Sequence, residues 1–359
     1  MEKKALIAMS GGVDSSVAAF LMKQEGWDCI GATMKLFDDG GTSGGKSCCS
    51  LDDVNDARDV AYRLNIPYYV LNFRNEFRRD VIERFISAYE AGGTPNPCID
   101  CNRFVKFDGL LRRARTLGYG RLVTGHYARI EHRDGRFLLT KAGDEKKDQS
   151  YVLYAMTQEQ LENTIFPLGA MRKDEVRRIA SEQGFINSKK RDSQDICFAP
   201  DGDYGAFMER HTGKTYSPGD IIDASGTVLG RHNGFVRYTI GQRRGLGVAS
   251  GRALYVTAKS KDRNTVTLGP ETALYSKSLT ITDVNLIACE NMAKPLRLRV
   301  KTRYLQTEQD AVAEQTADDT ILIEFDEPQR AITEGQAAVM YDGRYVVGGG
   351  IITGRLKQA

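Results

Sequence analysis

The sequence predicts an α/β fold, a parallel sheet with helices on both faces, followed by a small mixed or mostly β domain and a C-terminal β-barrel-like domain. In the first half of the chain, apolar runs of strand length alternate with helical segments. A glycine-rich turn directly follows the first of these runs. From about residue 204, short alternating runs separated by Gly, Asp and Asn turns replace the long helices.

The individual elements follow from apolar periodicity and turn signals. Strands are predicted over residues 5–9, 29–37, 68–72 and 121–124, and helices over residues 17–22, 51–64, 76–89 and 103–117, with a helical region over residues 158–184. Asp134-Gly135 is typical of a hairpin turn. Ser50, with Asp53 three residues later, fits a capping box that opens the second helix. We place the domains at residues 1–203, 204–274 and 275–359.

Composition narrows the class of protein. The chain has 359 residues, 41% hydrophobic and 27% charged, which suits a globular protein of two or three domains. No segment approaches the roughly 18 consecutive apolar residues of a membrane span, and the N-terminal apolar run is too short for a signal peptide. Seven cysteines, an odd number, indicate reduced thiols. We therefore expect a cytoplasmic protein with no membrane partner.

The charge is segregated along the chain. The net charge is only +3, but basic residues dominate residues 231–263 and 294–303, and acidic residues dominate 308–334. Such basic stretches could neutralise a polyphosphate backbone. The alternative is that they are solvated faces of alternating strands.

The glycine turn has the composition of a phosphate-binding loop. Its sequence is Ser10-Gly11-Gly12-Val13-Asp14-Ser15-Ser16, between a strand and a helix. The glycines let the backbone expose successive N–H groups, and the positive end of the helix dipole points at the same place. The serines add hydroxyl donors, and the loop itself contains no lysine. The alternative is an ordinary glycine turn with a serine or aspartate cap.

A second glycine-rich stretch, residues 40–47, matches the Walker A pattern but is rejected as a phosphate loop. Cys48 and Cys49 separate its Lys46-Ser47 from the start of the helix, which Lys-Ser opens directly in a true P-loop. Two preceding aspartates have the wrong charge for a phosphate neighbour. A flap over the site fits better, with a direct phosphate role for Lys46 as the alternative.

Three cysteines lie in loop contexts that favour chemistry. Cys98 and Cys101 precede a predicted helix, whose dipole would lower the pKa of the Cys101 thiol. Cys197 is far away in sequence. Three interpretations remain open: a zinc site completed by His126, an iron–sulfur cluster on the three thiols, and sulfur handling by a nucleophilic and a persulfide thiol. Cys29 and Cys289 look like core residues.

Several motifs in the same order carry a resemblance to a known family. They are residues 10–16, 94–102, 124–128, 148–151, 192–198, 239–247 and 330–336. The first motif resembles the pyrophosphate loop of ATP pyrophosphatases, which cleave ATP to AMP and pyrophosphate. Together the motifs resemble the bacterial tRNA-specific 2-thiouridylases over nearly the whole chain. These enzymes place sulfur on C2 of the wobble uridine of tRNAs for Glu, Gln and Lys.

The resemblance implies a role for each matching residue. Cys197 would carry a persulfide received from a sulfur-donor protein, and Cys101 would release the sulfur and close a disulfide with Cys197. ATP, with Mg²⁺, would be held by Ala8, Met9, Ser10, Gly11, Gly12, Val13, Asp14, Ser15, Met34 and Gly125. The target base would meet Asn96, Pro97 and Cys98. The tRNA anticodon stem-loop would contact His126, Asp148, Gln149, Ser150, Arg303, Tyr304 and Gln336.

The implied chemistry is coherent with the residues. Uracil O2 is a poor leaving group, and adenylation converts it into AMP. Asp14 could reach the metal or cap the helix that follows. Some family members carry Asp where this chain has Cys98, and a thiol hydrogen-bonds a base poorly. Two other hypotheses are an amide or amidine synthetase acting on a small molecule and a non-catalytic RNA-binding protein with a structural metal.

Overall fold

The computed structural model describes residues 3–37, 51–190 and 196–356. It divides into two compact units. The first comprises Met1–Ile82, Pro97–Asp201 and Gly343–Val347, and the second comprises Glu83–Asn96, Gly202–Asp342 and Gly348–Ala359. The expected cap at Ser50, the glycine-rich stretch of residues 40–47 with its Lys46, and Cys48 and Cys49 lie outside the described residues.

The strands are numbered along the chain. They are β1 (Lys4–Ala8), β2 (Asp28–Lys35), β3 (Tyr68–Asn72), β4 (Arg121–Val123), β5 (Arg129–Arg133), β6 (Arg136–Thr140), β7 (Thr164–Ile165), β8 (Gly219–Ile222), β9 (Val228–His232), β10 (Tyr255–Ser260), β11 (Thr265–Gly269), β12 (Tyr275–Leu286), β13 (Leu296–Lys301), β14 (Gln309–Ala317), β15 (Thr320–Arg330), β16 (Ala337–Asp342) and β17 (Tyr345–Leu356).

The helices are numbered in the same way. They are α1 (Val13–Gln24), α2 (Leu51–Arg63), α3 (Arg74–Phe77), α4 (Glu83–Glu90), α5 (Pro97–Asp100), α6 (Leu111–Thr116), α7 (Ser150–Leu153), α8 (Gln158–Glu162), α9 (Lys173–Glu182) and α10 (Tyr204–Thr212). Two segments, Arg78–Ile82 and Cys101–Leu110, are π-helical. No helix among the described residues has the length and apolarity to span a membrane.

The first unit is built on a five-stranded parallel sheet. Its strand order is β3-β2-β1-β4-β7, and every neighbouring pair is parallel. The central strand β1 buries Ala5, Leu6 and Ile7 completely, as a strand covered on both faces must. Helix α1 packs against α2 and α9, and α6 packs against β4. The predicted α/β class, a parallel sheet with helices, is confirmed.

Two predicted helices differ from the observed elements. The predicted helical region over residues 158–184 contains two helices, α8 and α9, separated by β7, which pairs with β4 at the edge of the sheet. The β-forming run Thr164-Ile165-Phe166 and the following Pro167 explain the break, because proline cannot continue a helix. The predicted helix over residues 103–117 begins earlier, at Pro97, and runs through the π-helical segment into α6.

The second unit contains two β structures. A four-stranded sheet has the order β10-β11-β8-β9 and mixes antiparallel with parallel pairs. Six strands in the order β12-β15-β14-β13-β16-β17 close into a barrel through pairing of β12 with β17. Along β15, Ile321, Ile323 and Phe325 are buried in alternation, which is the pattern of a strand with one face inside. The expected mixed β domain and β-barrel domain are confirmed.

Candidate functional site

The glycine turn after β1 has the geometry of an anion-binding loop. Gly12 precedes α1 and no side chain caps the helix start, so the N–H groups of the first turn lack intrahelical partners. Gly11 has φ +73°, and a Cβ there would lie 2.2 Å from the Asp53 carbonyl oxygen, so only glycine fits. The loop therefore offers backbone donors at a helix N-terminus.

The serine hydroxyls of this loop brace it from within. The Ser15 and Ser16 hydroxyls each donate to the Gly12 carbonyl at 3.0 Å, and the Ser10 N–H donates to Ser15 Oγ at 3.2 Å. In this arrangement the loop itself uses both hydroxyl protons, and a donor role of Ser15 and Ser16 toward a phosphate stays a prediction.

The loops after β1 and β4 touch at one edge of the sheet. A Cβ on Gly125 would lie 2.8 Å from the Asp14 carbonyl carbon and the Ser15 nitrogen. Strands β1 and β4 are neighbours, and from β1 the chain proceeds outward through β2 and β3. Ligands of such sheets bind at this switch point, beyond the carboxyl ends of the strands. The prediction that both loops lie at one edge is confirmed.

The remaining residues assigned to ATP lie at the same edge. Ala8 ends β1, and Met9 follows it, buried, with its carbonyl accepting a 2.5 Å hydrogen bond from Thr33 Oγ1. Met34 is half-buried near the end of the adjacent β2. Their roles toward the nucleotide stay predictions.

The Asp14 carboxylate is held by two side chains that the sequence analysis missed. Lys173 Nζ lies 2.8 Å from both Asp14 oxygens, and the Tyr127 hydroxyl donates to Oδ1 at 2.8 Å. Asp14 therefore does not cap α1. Lys173 is 9% exposed and is the first residue of α9, so a lysine does stand beside the loop. No local sequence signal marks it, because it is 159 residues away from Asp14.

A second pair of missed residues holds the Gly11 carbonyl. Asn187 Nδ2 donates to it at 2.9 Å and Lys190 Nζ at 3.3 Å. Lys190 also reaches Asp53 at 2.6 Å and Asp56 at 2.5 Å. Burial disfavours the Lys190 ammonium, but its hydrogen bonds to the two carboxylates outweigh this, and its pKa is raised.

The structure corrects the position of Cys101. The helical segment starts at Pro97, so Cys98 lies in its first turn and Cys101 one turn further along. The dipole effect fades within the first turn, and the predicted helix N-terminus at Cys101 is wrong. Cys98 is exposed and Cys101 is buried. The neighbouring Asn102 fixes the segment by donating to the Val152 carbonyl at 3.0 Å.

Cys197 is half-buried and lies beside an aromatic cluster. The Phe198 ring is 5.9 Å from the Phe77 ring, which is 6.0 Å from the Phe37 ring just beyond β2. Phe77 ends α3, and α3 packs against the π-helical segment that starts with Cys101. Both thiol-bearing segments therefore adjoin the helix that carries Phe77, near the carboxyl edge of the sheet.

The metal interpretations of the thiols gain no support. The described residues contain no group of three or more His, Cys, Asp or Glu side chains that could hold a metal ion. His126, proposed as a zinc ligand, instead contacts Thr124 Oγ1 through Nδ1 at 2.7 Å and packs against Phe107 and Phe166. Burial, with a contribution from Lys106, lowers its pKa well below the usual range.

The residues assigned to tRNA in the first unit have internal partners. The Asp148 carboxylate accepts from the Ala142 N–H and from the Ser150 N–H and hydroxyl. Gln149 exchanges two hydrogen bonds with the Tyr127 backbone. Ser150 is fully buried. These contacts position the loop beside Tyr127, and contact with tRNA stays a prediction for these residues and for His126.

The residues assigned to tRNA in the second unit are also engaged. Arg303 donates to the Ala331 carbonyl and Thr333 Oγ1, each at 2.9 Å, and Tyr304 follows it in the β13–β14 connection. Gln336 Nε2 donates to the Thr94 carbonyl at 2.6 Å, and the Thr94 N–H donates to the Glu334 carbonyl at 2.8 Å. Gln336 therefore fixes the segment that ends at Asn96, just before Pro97.

The fold and site define the class of protein: an α/β domain with a phosphate loop, extended by two β domains and carrying a set of thiols. Family models match in the same order, as a tRNA methyl transferase HUP domain over residues 3–201, a tRNA methyl transferase PRC-barrel domain over residues 205–270 and an aminomethyltransferase β-barrel domain over residues 276–352.

Curated relatives identify the family. The tRNA-specific 2-thiouridylase MnmA of Clostridioides difficile is 50% identical over 98% of this chain and 98% of its own length. That of Acetivibrio thermocellus is 48% identical over 98% of this chain and 99% of its own length. The chain belongs to the family of tRNA-specific 2-thiouridylases. A solved 4-thiouridine synthetase–RNA complex with bound ATP covers 55% of this chain and 45% of its own at 20% identity and a TM-score of 0.37, too low to support further argument.

Proposed function

We propose that this chain is an ATP-dependent tRNA-uridine 2-sulfurtransferase that forms 2-thiouridine at the wobble position of tRNAs for Glu, Gln and Lys. The observation that carries the proposal is the match of about half of all residues, over the whole chain, to enzymes named for this activity. The preformed phosphate loop and the two thiol segments near Phe77 supply the parts such a reaction needs.

The phosphate loop suits ATP. The N–H groups in the first turn of α1 have no intrahelical partner and are oriented for anionic oxygens, and Gly125 leaves room where the loops after β1 and β4 meet. Mg²⁺ would neutralise charge that develops on the departing pyrophosphate. Asp14 is the nearby carboxylate, and Lys173 and Tyr127 hold it in place. In the adenylation step, uracil O2 bonds to the α-phosphorus as the bond to pyrophosphate breaks.

The thiols divide the sulfur chemistry between them. The terminal sulfur of a persulfide on Cys197 attacks C2, and AMP leaves with the former O2. The Cys101 thiolate then attacks Cys197 Sγ. The bond between Cys197 Sγ and the transferred sulfur breaks, the transferred sulfur stays on C2, and a Cys101–Cys197 disulfide forms. If hydrosulfide is released first, the same disulfide results. An external thiol must reduce it before the next turnover.

The partners follow from this chemistry. The target base must leave its stack to reach a phosphate loop at a sheet edge, so an anticodon stem-loop is the expected RNA substrate. Asn96, Pro97 and Cys98 are proposed to meet the base, and His126, Asp148, Gln149, Ser150, Arg303, Tyr304 and Gln336 to lie along the RNA. The persulfide on Cys197 requires a donor protein that carries one.

The test is a complete reaction with chemically defined products. Protein, ATP, Mg²⁺ and a radiolabelled sulfide or persulfide donor are incubated with an anticodon stem-loop of a tRNA for Glu. The matched control is the same stem-loop with cytidine at the wobble position. We expect 2-thiouridine and AMP in equal amounts, only with ATP and only with uridine. Nucleoside mass spectrometry separates sulfur exchange from methylation. AMP formation without thiolated RNA would contradict the proposal.

A further inference from the structure

The phosphate loop is held from behind by a short segment that precedes Cys197 in the chain. Asn187 is buried, 3% exposed, and its single Nδ2 group donates at 2.9 Å both to the Gly11 carbonyl and to Ser16 Oγ. Lys190, three residues later, donates to the same Gly11 carbonyl at 3.3 Å. Two side chains from one segment therefore converge on one backbone oxygen of the loop.

This contact fixes the orientation of a whole peptide group. In a trans peptide the C=O and N–H bonds point in opposite directions, and the Gly11–Gly12 peptide is not cis. With the Gly11 oxygen directed to Asn187, the Gly12 N–H is directed away from it. Within the described residues this N–H has no hydrogen-bond partner. Glycine backbones rotate easily, so something must select this orientation, and Asn187 and Lys190 do so.

The charges around Lys190 show that it acts as a fixed donor rather than as a mobile phosphate ligand. Asp53 and Asp56 of α2 lie 2.6 and 2.5 Å from its Nζ, and the Asp53 side chain is 11% exposed. Leaving both carboxylates for an incoming phosphate would strand two negative charges beside that phosphate. The ammonium is therefore retained where it meets Gly11.

We propose that Asn187 and Lys190 are positioning residues that turn the Gly11–Gly12 peptide so that its N–H faces the nucleotide phosphates. The proposal deepens the proposed function and rests on it. Neither residue touches the reacting atoms. Their removal weakens nucleotide binding because the loop must then pay the cost of ordering itself when the phosphate arrives.

The test uses an isosteric change at the buried amide. In Asn187→Asp, the introduced carboxylate repels the Gly11 oxygen, and we expect the KM for ATP to rise about 10- to 100-fold with kcat little changed. Lowering the pH protonates the carboxyl group, which can then donate to Gly11, so the KM falls again. Among the described residues, the charged groups around this position are Lys190, its partners Asp53 and Asp56, and Arg177 of α9, which donates to the Ser188 and Lys190 carbonyls. Asn187→Ala has no such proton and must show no recovery.

Lys190 provides a second test, at a side chain that is less buried than Asn187. Lys190→Met should raise the KM for ATP about tenfold, and Lys190→Arg should restore it, because arginine again donates to Gly11 and keeps the positive charge beside Asp53 and Asp56. Asn75→Asp is the matched control, since Asn75 is exposed on α3 and should leave the KM unchanged. Binding of a fluorescent ATP analogue and the melting temperature are measured for every variant.

The outcomes separate this proposal from the proposed function. Wild-type nucleotide affinity in both Asn187→Asp and Lys190→Met overturns the positioning role. A raised KM in Asn187→Asp that does not recover on acidification overturns it as well. If instead the wild-type protein binds ATP but does not thiolate tRNA, the proposed function fails while the positioning role stands.

Discussion

Lys190 and Lys259 make the same kind of hydrogen bond in two different regions, but their surroundings shift their pKa values in opposite directions. Each donates a hydrogen bond to a glycine carbonyl, Lys190 to Gly11 of the phosphate loop and Lys259 to Gly93 at 3.4 Å. Lys190 is paired with two carboxylates, and its pKa is raised. Lys259 has the Tyr89 ring 5.7 Å from its Nζ and no carboxylate among the described residues. Burial lowers the pKa of Lys259 to about 8.

The difference teaches how firmly each region is held. The phosphate loop is fixed by Lys190. Two carboxylates stabilise the charge of this lysine, so it stays protonated across the pH range of the cell. The strap, residues 91–96, is held by a donor that loses its charge near pH 8 and by uncharged contacts from Gln336 and Glu334. We infer that the phosphate loop is preorganised and that the strap, which leads to Cys98, is the more adjustable of the two.

The largest effect is expected from replacing the two thiols, because the strap matters only if the thiol segment that it leads to takes part in the reaction. Cys101→Ser and Cys197→Ser should each lower 2-thiouridine formation at least about a thousandfold, because a hydroxyl can neither carry a persulfide nor attack one. Nucleotide binding should be unchanged. Cys289→Ser, a half-buried cysteine of the second unit, is the matched control and should keep full activity. Full activity of Cys101→Ser or of Cys197→Ser would rule out the two-thiol mechanism.

A smaller effect is expected from replacing Gln336, which loosens the strap without touching the phosphate loop. Gln336→Ala removes the hydrogen bond to the Thr94 carbonyl, and the sulfur-transfer rate should fall about tenfold while the KM for ATP stays unchanged. Iodoacetamide should alkylate Cys98 faster in the variant. Gln309→Ala, which loses only a local bond to the Thr307 carbonyl, is the control. A raised KM for ATP would show that strap and phosphate loop are not separately held.

The smallest effect is a pH dependence of stability at Lys259. Its folded pKa is about 8 and its ordinary value is 10.5, so the unfolded chain binds more protons between these values. Unfolding free energy should therefore rise with pH across this window, by about 3 kcal/mol relative to Lys259→Met. Denaturant titrations of both proteins at several pH values measure the difference. Parallel curves for the two proteins would show that Lys259 keeps its charge in the fold.

Much of the fold could be predicted from local patterns. The runs that became β1 to β4, the Asp134-Gly135 turn with both residues at positive φ, and the change to β structure near residue 204 all carry strong signals. Strand β7 could not be predicted, because it has only two residues and its neighbour β4 lies about forty positions away in the chain. The early start of the Cys101 helix does not follow from the sequence, because Pro97 fits a stiff loop as well as the first position of a helix.

The sequence predicts the site only where its residues lie together in one short segment. The glycine loop and the approach of Gly125 follow from strand order and turn chemistry. Lys173, Asn187 and Lys190 come from more than 150 residues away and occupy no recognisable motif. The predicted roles of the thiols and of the tRNA-facing residues stay predictions, since they depend on partners outside the chain.

The wide helix that begins at Cys101 has a consequence for insertions and deletions. Its π-helical hydrogen bonds span one residue more than those of an α-helix, over Cys101–Leu110. Deleting one residue between Phe104 and Phe107 would let the segment relax into an ordinary α-helix. Because the wider turns take up about one extra residue, Cys101 and Leu110 would keep nearly the same angular relation about the helix axis after this deletion. A chain shortened in this way would keep its fold and the direction of its thiol, whereas deleting one residue from an α-helix such as α9 would rotate the residues beyond it by about 100°.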